Sequence, residues 1–393
     1  MEKGRLNVGV IGCGTISEVY LNNLTKHCDN LQVTACADII HEKAVQASQK
    51  YNIPKACSVD ELLADKDIDL VVNLTIPAAH YEVNMKCLRA GKHVYCEKPF
   101  ALTLEEAAEI VDLAAKKGLL AASAPDTFLG AGIQTSRKLI DDGALGNIVG
   151  FTANMTSPGV DLWHPAPDFY YKKGAGPMWD MGPYYLTALV TLLGPIKKVF
   201  CFASSARTKR TMYDGREVTV EVPTHYVGIM EFACGTVGNI NMSFDVWHSN
   251  LPVIELFGSK GSMGVPDPNM FNGAVTLCDG TKVEEVVKAV GGGHRDRLIK
   301  LIQSTQELNV EMPYAFPAES QPRSNMRGLG VSEMASAILN GRKCRLSGEM
   351  SRHVVEALAA FDASLRDNQP YIMKTTCQRP DPMPSNLPLW KVD

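Results

Sequence analysis

Apolar residues in the first third of the chain recur in two alternating patterns. Short, continuous apolar runs stand at residues 6–11, 31–37, 69–75, 93–96 and 119–125. Runs of this kind predict strands buried on both faces. Between them lie stretches with helical spacing: 18–27, 42–51, 59–64, 78–90 before Gly91, and 104–117 before Gly118. Strands alternating with helices of this length predict an α/β fold with a doubly wound parallel sheet. The pattern then changes. After a helix at 133–142, alternating β-branched segments follow at 147–156, 198–204, 218–222, 225–234, 236–244 and 252–258, with few helices between them. They predict a large, mostly antiparallel sheet. Such a sheet buries one face and leaves the other for a partner, so a homodimer or homotetramer is expected. Helices at 332–339 and 353–367 close the pattern, and the proline-punctuated tail reads as an extended strap. The expected division is 1–125, 126–376 and a tail at 377–393.

Composition narrows the class. A chain of 393 residues exceeds what one core normally organises. The formal net charge of −4 gives no electrostatic case for nucleic acid or an anionic membrane surface. No apolar run approaches the roughly 20 residues that span a bilayer. Met1-Glu2-Lys3-Gly4-Arg5 runs straight into the first strand, so no signal peptide is expected. The 11 cysteines are odd in number and none are spaced CxxC. They predict buried free thiols in a reducing cytoplasm, not disulfides or a metal site.

The candidate chemistry sits at the ends of the early strands. Gly12-Cys13-Gly14-Thr15-Ile16-Ser17 follows the first strand and opens a helix. Two glycines allow a tight turn and let the backbone approach a pyrophosphate at the helix N-terminus. Ser17 stands where a third glycine is usual. Asp38 ends the second strand, where an acidic residue binds the ribose hydroxyls of a dinucleotide. No basic residue follows until Lys43, which favours NAD over NADP. Thr75 and Pro77 lie at the end of the third run, and His80 follows within the next helix; these are expected to border the cofactor. Glu97-Lys98-Pro99 ends the fourth run, and the proline stops the strand there. Both charged side chains should then stand at a strand's carboxyl end, where ligands bind in open α/β sheets. A lysine beside a carboxylate and half out of water has a tunable proton affinity.

Downstream, Trp163-His164-Pro165 opens an aromatic stretch reaching Tyr171, and Asp180-Met181-Gly182-Pro183-Tyr184 leads into a helix expected over 184–193. Aromatic surface with a few polar groups suits a sugar ring. Trp163 and His164 are assigned to the substrate site; Phe169 and Trp179 read as packing. With a helix starting near Gly182, Asp180 and Tyr184 face the same way across its first turn.

With these residues assembled, the chain resembles the glucose–fructose oxidoreductase/inositol dehydrogenase family (Gfo/Idh/MocA). The resemblance rests on the glycine loop, Asp38, the segment from Thr75 to His80, Glu97-Lys98-Pro99 and the Asp180–Tyr184 segment. It implies a Rossmann domain followed by an α/β domain with a large, mostly antiparallel sheet. It also implies hydride transfer between a nicotinamide cofactor and a hydroxyl carbon of a sugar, cyclitol or glycoside. Oxidation of a glycoside at C3 to a 3-keto sugar falls within that range. In the family an aspartate four residues before a histidine completes the site, and the histidine is the usual base. Tyr184 occupies that position here, as in some sugar and dihydrodiol oxidoreductases of the family. Lys98 is then expected to polarise the reacting oxygen, Asp180 to orient, and Tyr184 or His164 to accept the proton. Two alternatives stand beside this reading: an NAD-dependent glycoside hydrolase or lyase acting by transient oxidation, and a non-catalytic sugar-sensing regulator.

Overall fold

The computed structural model describes residues 4–290, 309–316, 318 and 325–393; the expectation for residues 1–3 falls outside them. The chain forms two compact units. One comprises the residues up to Leu129 together with Asn325–Ala360 and Met373–Asp393; the other comprises the described residues from Gly130 to 316, residue 318 and Phe361–Ile372.

The first unit is built on a six-stranded parallel sheet. Its elements are β1 (Leu6–Ile11), α1 (Ser17–Lys26), β2 (Leu31–Ala37), α2 (His41–Tyr51), β3 (Lys55–Cys57), α3 (Val59–Ala64), β4 (Leu70–Asn73), α4 (Pro77–Arg89), β5 (His93–Cys96), α5 (Leu104–Lys117) and β6 (Ala121–Ser123). The strand order is β3-β2-β1-β4-β5-β6. Order reverses between β1 and β4, the switch point beside which dinucleotides bind. β3 escaped the sequence reading because an edge strand of three residues, none of them buried, carries no apolar signal. Helix boundaries follow local chemistry. α5 starts at a Thr103/Glu106 capping box and stops at Gly118, whose φ of 65° suits glycine. Ile11, Val71, Val94, Cys96 and Ile110 share one core beneath the sheet.

The expected second domain, 126–376, is not one continuous piece. The helix Leu329–Asn340 and the tail belong to the first unit. Asp126 accepts N–H bonds from Gly328 (2.9 Å) and Gly330 (3.0 Å). In the tail, Trp390 stacks on His27 at 4.6 Å and Lys391 pairs with Asp29. These contacts join residues hundreds of positions apart, so no local pattern announces them.

The second unit is a nine-stranded sheet with helices α6 (Ala131–Asp141), α7 (Gly176–Leu193) and α8 (Gly280–Val290). Its strands include β7 (Ile148–Thr156), β8 (Ile196–Ser204), β11 (His225–Phe232), β12 (Val237–Ser243) and β13 (Ile254–Gly258). All its pairings are antiparallel except β7 with β12. The segment expected at 218–222 is instead β10 (Glu217–Thr219), paired with β9 (Lys209–Thr211) in a separate two-stranded ribbon. One face of the large sheet buries Val199, Tyr226, Met230 and Ile240. The other leaves Phe202, Val227, Ile229 and Val237 exposed. No helix of the described residues is long and apolar enough to cross a membrane.

Candidate active site

β1 ends in the glycine loop. Gly12 has φ 99°, and a Cβ there would lie 2.7 Å from the Leu74 carbonyl group. Glycine is therefore required twice at this position, by conformation and by the close approach of the chain after β4. Gly14 differs: a Cβ added there would meet nothing within 4 Å, so its outer side is open. Ser17 closes the turn, donating its hydroxyl to the Gly14 carbonyl at 2.6 Å. No side chain caps α1. A helix N-terminus offers several N–H groups to an anion, which fits a pyrophosphate laid across Gly14, Thr15 and Ile16.

Asp38 turns back onto this loop. Its Oδ2 accepts the Cys13 N–H and its Oδ1 accepts the Ile40 N–H, both at 2.8 Å. It is a turn residue and a pre-oriented carboxylate at once. An ionised carboxylate has about four acceptor directions, so hydroxyl donors can still be taken.

The ends of β4 and β5 are cross-linked by polar side chains. Thr75 donates its N–H and its hydroxyl to Asn73 Oδ1 at 3.2 and 2.7 Å. Pro77 stands at the first turn of α4, where its missing N–H costs nothing. His80 is buried; its Nδ1 lies 2.6 Å from the Pro99 carbonyl oxygen and its Nε2 lies 2.9 Å from that of Thr75. Burial pushes its pKa below the usual histidine value, against the two carbonyls and Glu97. His80 is thus a strut between two loops; each ring nitrogen faces a backbone carbonyl, and in the neutral ring the protonated one donates.

Glu97 also departs from expectation. It is buried, accepting the Tyr20 hydroxyl at 2.7 Å and the Lys98 N–H at 2.9 Å. The two charged neighbours therefore part: Glu97 turns inward while Lys98 is half-buried. Successive side chains of extended backbone point to opposite sides, which explains the split. Behind Glu97 lie Tyr20, Tyr95 and Asp126, all buried. Burial lifts both phenols well above the ordinary tyrosine value and pushes Asp126 up to about 6, against the amides it accepts. Sequence reading missed Tyr20, Asn73 and Asp126. Their only signal is a polar residue at an inward position.

In the second unit, α7 begins at Gly176, earlier than expected. Pro183 lies inside it and removes one helix bond. The helix persists because every residue except Asp180 and Met181 is buried, so tertiary packing outweighs the local cost. Asp180 and Tyr184 lie one turn apart on the same face. Trp179 is a packing residue, donating its indole N–H to Asp362 at 2.8 Å. Phe169, expected to pack, is 49% exposed. Trp163 is 67% exposed. His164 lies edge-to-face with Trp163 (5.4 Å) and Tyr170 (4.9 Å), and its Nδ1 accepts the Ala166 N–H at 3.0 Å.

Comparison with known proteins agrees with this layout. Residues 6–124 match a family described as an oxidoreductase family with an NAD-binding Rossmann fold. Residues 133–264 match the GFO/IDH/MocA C-terminal domain. An inositol 2-dehydrogenase/D-chiro-inositol 3-dehydrogenase from Lactiplantibacillus plantarum is 35% identical over 143 residues, 35% of this chain and 41% of that protein. An uncharacterized oxidoreductase from Schizosaccharomyces pombe is 33% identical over 198 residues, 48% of this chain and 52% of that protein. The chain thus spans about half or less of the length of these curated relatives. A levoglucosan dehydrogenase solved with NADH shares the fold, with a TM-score of 0.76 and 19% identity over 94% of this chain and 100% of that one. The chain belongs to the GFO/IDH/MocA family of oxidoreductases, with an NAD-binding Rossmann fold at its amino-terminal end.

Proposed function

We propose that the protein is an NAD(H)-dependent oxidoreductase that moves a hydride between nicotinamide and a secondary alcohol carbon of a sugar, glycoside or cyclitol. Lys98 carries this reading. It lies two residues beyond β5, half-buried, between the inward-turned Glu97 and the Pro99 carbonyl that His80 faces. Gly12, Gly14, Thr15 and Ile16 would hold the pyrophosphate, and Asp38 the ribose. Thr75 and Pro77 border the nicotinamide end. The cofactor, when bound, supplies the hydride acceptor or donor.

Lys98 polarises the reacting hydroxyl and relays its proton, and Asp180 orients the substrate. Tyr184 is the better supported proton acceptor. His164 Nδ1 already accepts an amide, so in a neutral ring Nε2 carries the proton and offers no lone pair. Trp163 and His164 then shape the sugar pocket. The exposed aromatic side chains of this loop favour a glycoside, including one oxidised at C3, over a bare polyol.

The test is NADH release from a panel of glycosides, sugars and cyclitols. Steady NADH formation supports the reading. Glycoside cleavage without net NADH assigns the protein to the transient-oxidation hydrolases or lyases. Sugar binding with no turnover of any panel member assigns it to a sensor. The exposed apolar face of the large sheet is proposed to be covered by a second copy of the chain, in a dimer or tetramer; a monomer by light scattering at micromolar concentration would refute this.

A further inference from the structure

Arg210 is deeply buried for a large charged side chain, at 2% exposure. It sits at the middle of the short strand β9. Strand alternation sends its neighbours Lys209 and Thr211 outward and Arg210 inward. Burying a guanidinium costs several kcal/mol unless its donors are met. Here the four terminal N–H groups are met, and the buried Nε–H finds no partner among the described residues. Nη1 donates to the Pro158 carbonyl at 2.8 Å and to Asp161 Oδ1 at 2.9 Å. Nη2 donates to the Phe244 carbonyl at 2.6 Å and to Asp245 Oδ1. The ring of Tyr171 lies 5.1 Å from the guanidinium carbon, and its hydroxyl donates to Asp161 Oδ1. Thr224 donates to the other oxygen of Asp245 at 2.5 Å.

Gly159 shows independently that the loop is shaped around this cluster. Its φ is 115°, and a Cβ there would lie 2.3 Å from Arg210 Nη1, 2.3 Å from Asp161 Oδ1 and 2.9 Å from the Tyr171 hydroxyl. Three polar atoms converge where only glycine leaves room. One turn further on, the N–H groups of Trp163 and His164 both donate to the Val160 carbonyl, at 3.2 and 2.9 Å. On the other side, Tyr213 donates its N–H to the Asp161 carbonyl at 3.2 Å. The turn bearing the two substrate-site candidates is therefore held by the Val160 carbonyl, and Asp161, the next residue, is held by Arg210.

An ion cluster of this kind is rarely better for stability than an apolar plug of the same volume. What it adds is geometry: a planar fork fixes four acceptors from two separate segments, 158–161 and 244–245, which a point-charge lysine cannot do. We propose that Arg210 is a positioning residue for the substrate loop, its guanidinium gripping Pro158, Asp161, Phe244 and Asp245 to set the turn that presents Trp163 and His164. This rests on the proposed function only for the identity of what the loop contacts.

The test compares Arg210→Lys and Arg210→Met with the wild type in two ways. The first is amide hydrogen exchange. The Trp163, His164 and Tyr213 amides should exchange at least about tenfold faster in both variants, while the amides of β1 and β5 stay unchanged. The second is kinetic. KM for the alcohol should rise at least about tenfold with kcat within about threefold, the signature of lost uniform binding, and NAD affinity should not move. A merely structural role would lower Tm and leave KM where it was. Wild-type exchange at those three amides, or an unchanged KM in Arg210→Met, overturns the proposal. If the wild type oxidises no alcohol, the proposed function fails and the exchange measurement alone decides the clamp. If Arg210→Met does not fold, Tyr171→Phe and Asp245→Asn each remove or weaken one arm. They should show the same exchange pattern at smaller scale, and wild-type exchange in both would overturn the clamp.

Discussion

Around Asp38 the contacts are made to backbone at the ends of two paired strands: the Cys13 N–H, the Ile40 N–H, and beside them the Gly12 N–H to Ala37 carbonyl bond at 2.9 Å. Around Arg210 side-chain charges reach across 34 to 52 residues of sequence to carbonyls and carboxylates on irregular segments. The difference teaches how each region is specified. A dinucleotide presents the same pyrophosphate and ribose to every such fold, so strand ends and glycines suffice. The proposed substrate loop, with only the short 3-10 turns Val160–Leu162 and Pro167–Tyr171, has no ladder to hold it and relies on a charged hub instead. The end of β5 belongs to both styles, with Lys98 on a strand terminus and buried side chains behind it.

Lys98→Met is the sharpest way to break this comparison. It removes the charge at nearly unchanged bulk, and kcat should fall about 10²–10⁴-fold. NAD should still bind, as read by fluorescence titration, because the glycine loop and Asp38 are untouched. Normal turnover would mean that the strand end is only a scaffold.

Asp126→Asn tests whether the buried carboxylate near Tyr95 strains the cofactor side. Its folded pKa, about 6, lies above the ordinary 3.8. The folded state then binds this proton more tightly than the unfolded one, so the Asp126 contribution to stability is greatest in acid and is lost as pH rises from about 4 to 6. With each pH unit worth about 1.4 kcal/mol, the loss is at most about 3 kcal/mol. Asparagine keeps an oxygen for the Gly328 and Gly330 amides and should flatten this part of the stability curve. Denaturant midpoints at several pH values read the effect, and an unchanged slope would assign the pH dependence to other groups.

Tyr184→Phe and His164→Asn separate chemistry from positioning in the second unit. Loss of the phenol should cut kcat about 10²-fold and flatten the rise of rate with pH. His164→Asn should mainly raise KM. The opposite pattern would move the proton acceptor onto the aromatic loop.

The smallest expected effect is on cofactor choice. A 2′-phosphate would face the Asp38 carboxylate, so NAD(H) should bind at least about tenfold tighter than NADP(H), about 1.4 kcal/mol. Asp38→Ala should narrow that gap in paired titrations; equal affinities in the wild type would remove the carboxylate's assigned role.

The alternation of strands and helices over residues 6–125 apart from β3, the glycine loop, Asp38 and the position of Lys98 at a strand's end are written in the sequence, because each shows in the apolar runs, glycines and prolines of its own segment. Apolar runs set the strands, and capping residues and glycines set the helix ends. The sheet of the second unit was legible as far as β13 (Ile254–Gly258), where β-branched alternation fades into glycine-rich segments. Tertiary structure decided the rest. It turned Glu97 inward onto Tyr20, set His80 between the Thr75 and Pro99 carbonyls, drew α7 through Pro183 back to Gly176, and joined the helix Leu329–Asn340 to the first unit through Asp126. It also gathered Asp161, Arg210 and Asp245, each unremarkable in its own stretch of sequence. The physical reason is the same in each case. A buried polar group must find a partner wherever the fold brings one, and the distance to that partner along the chain leaves no local trace.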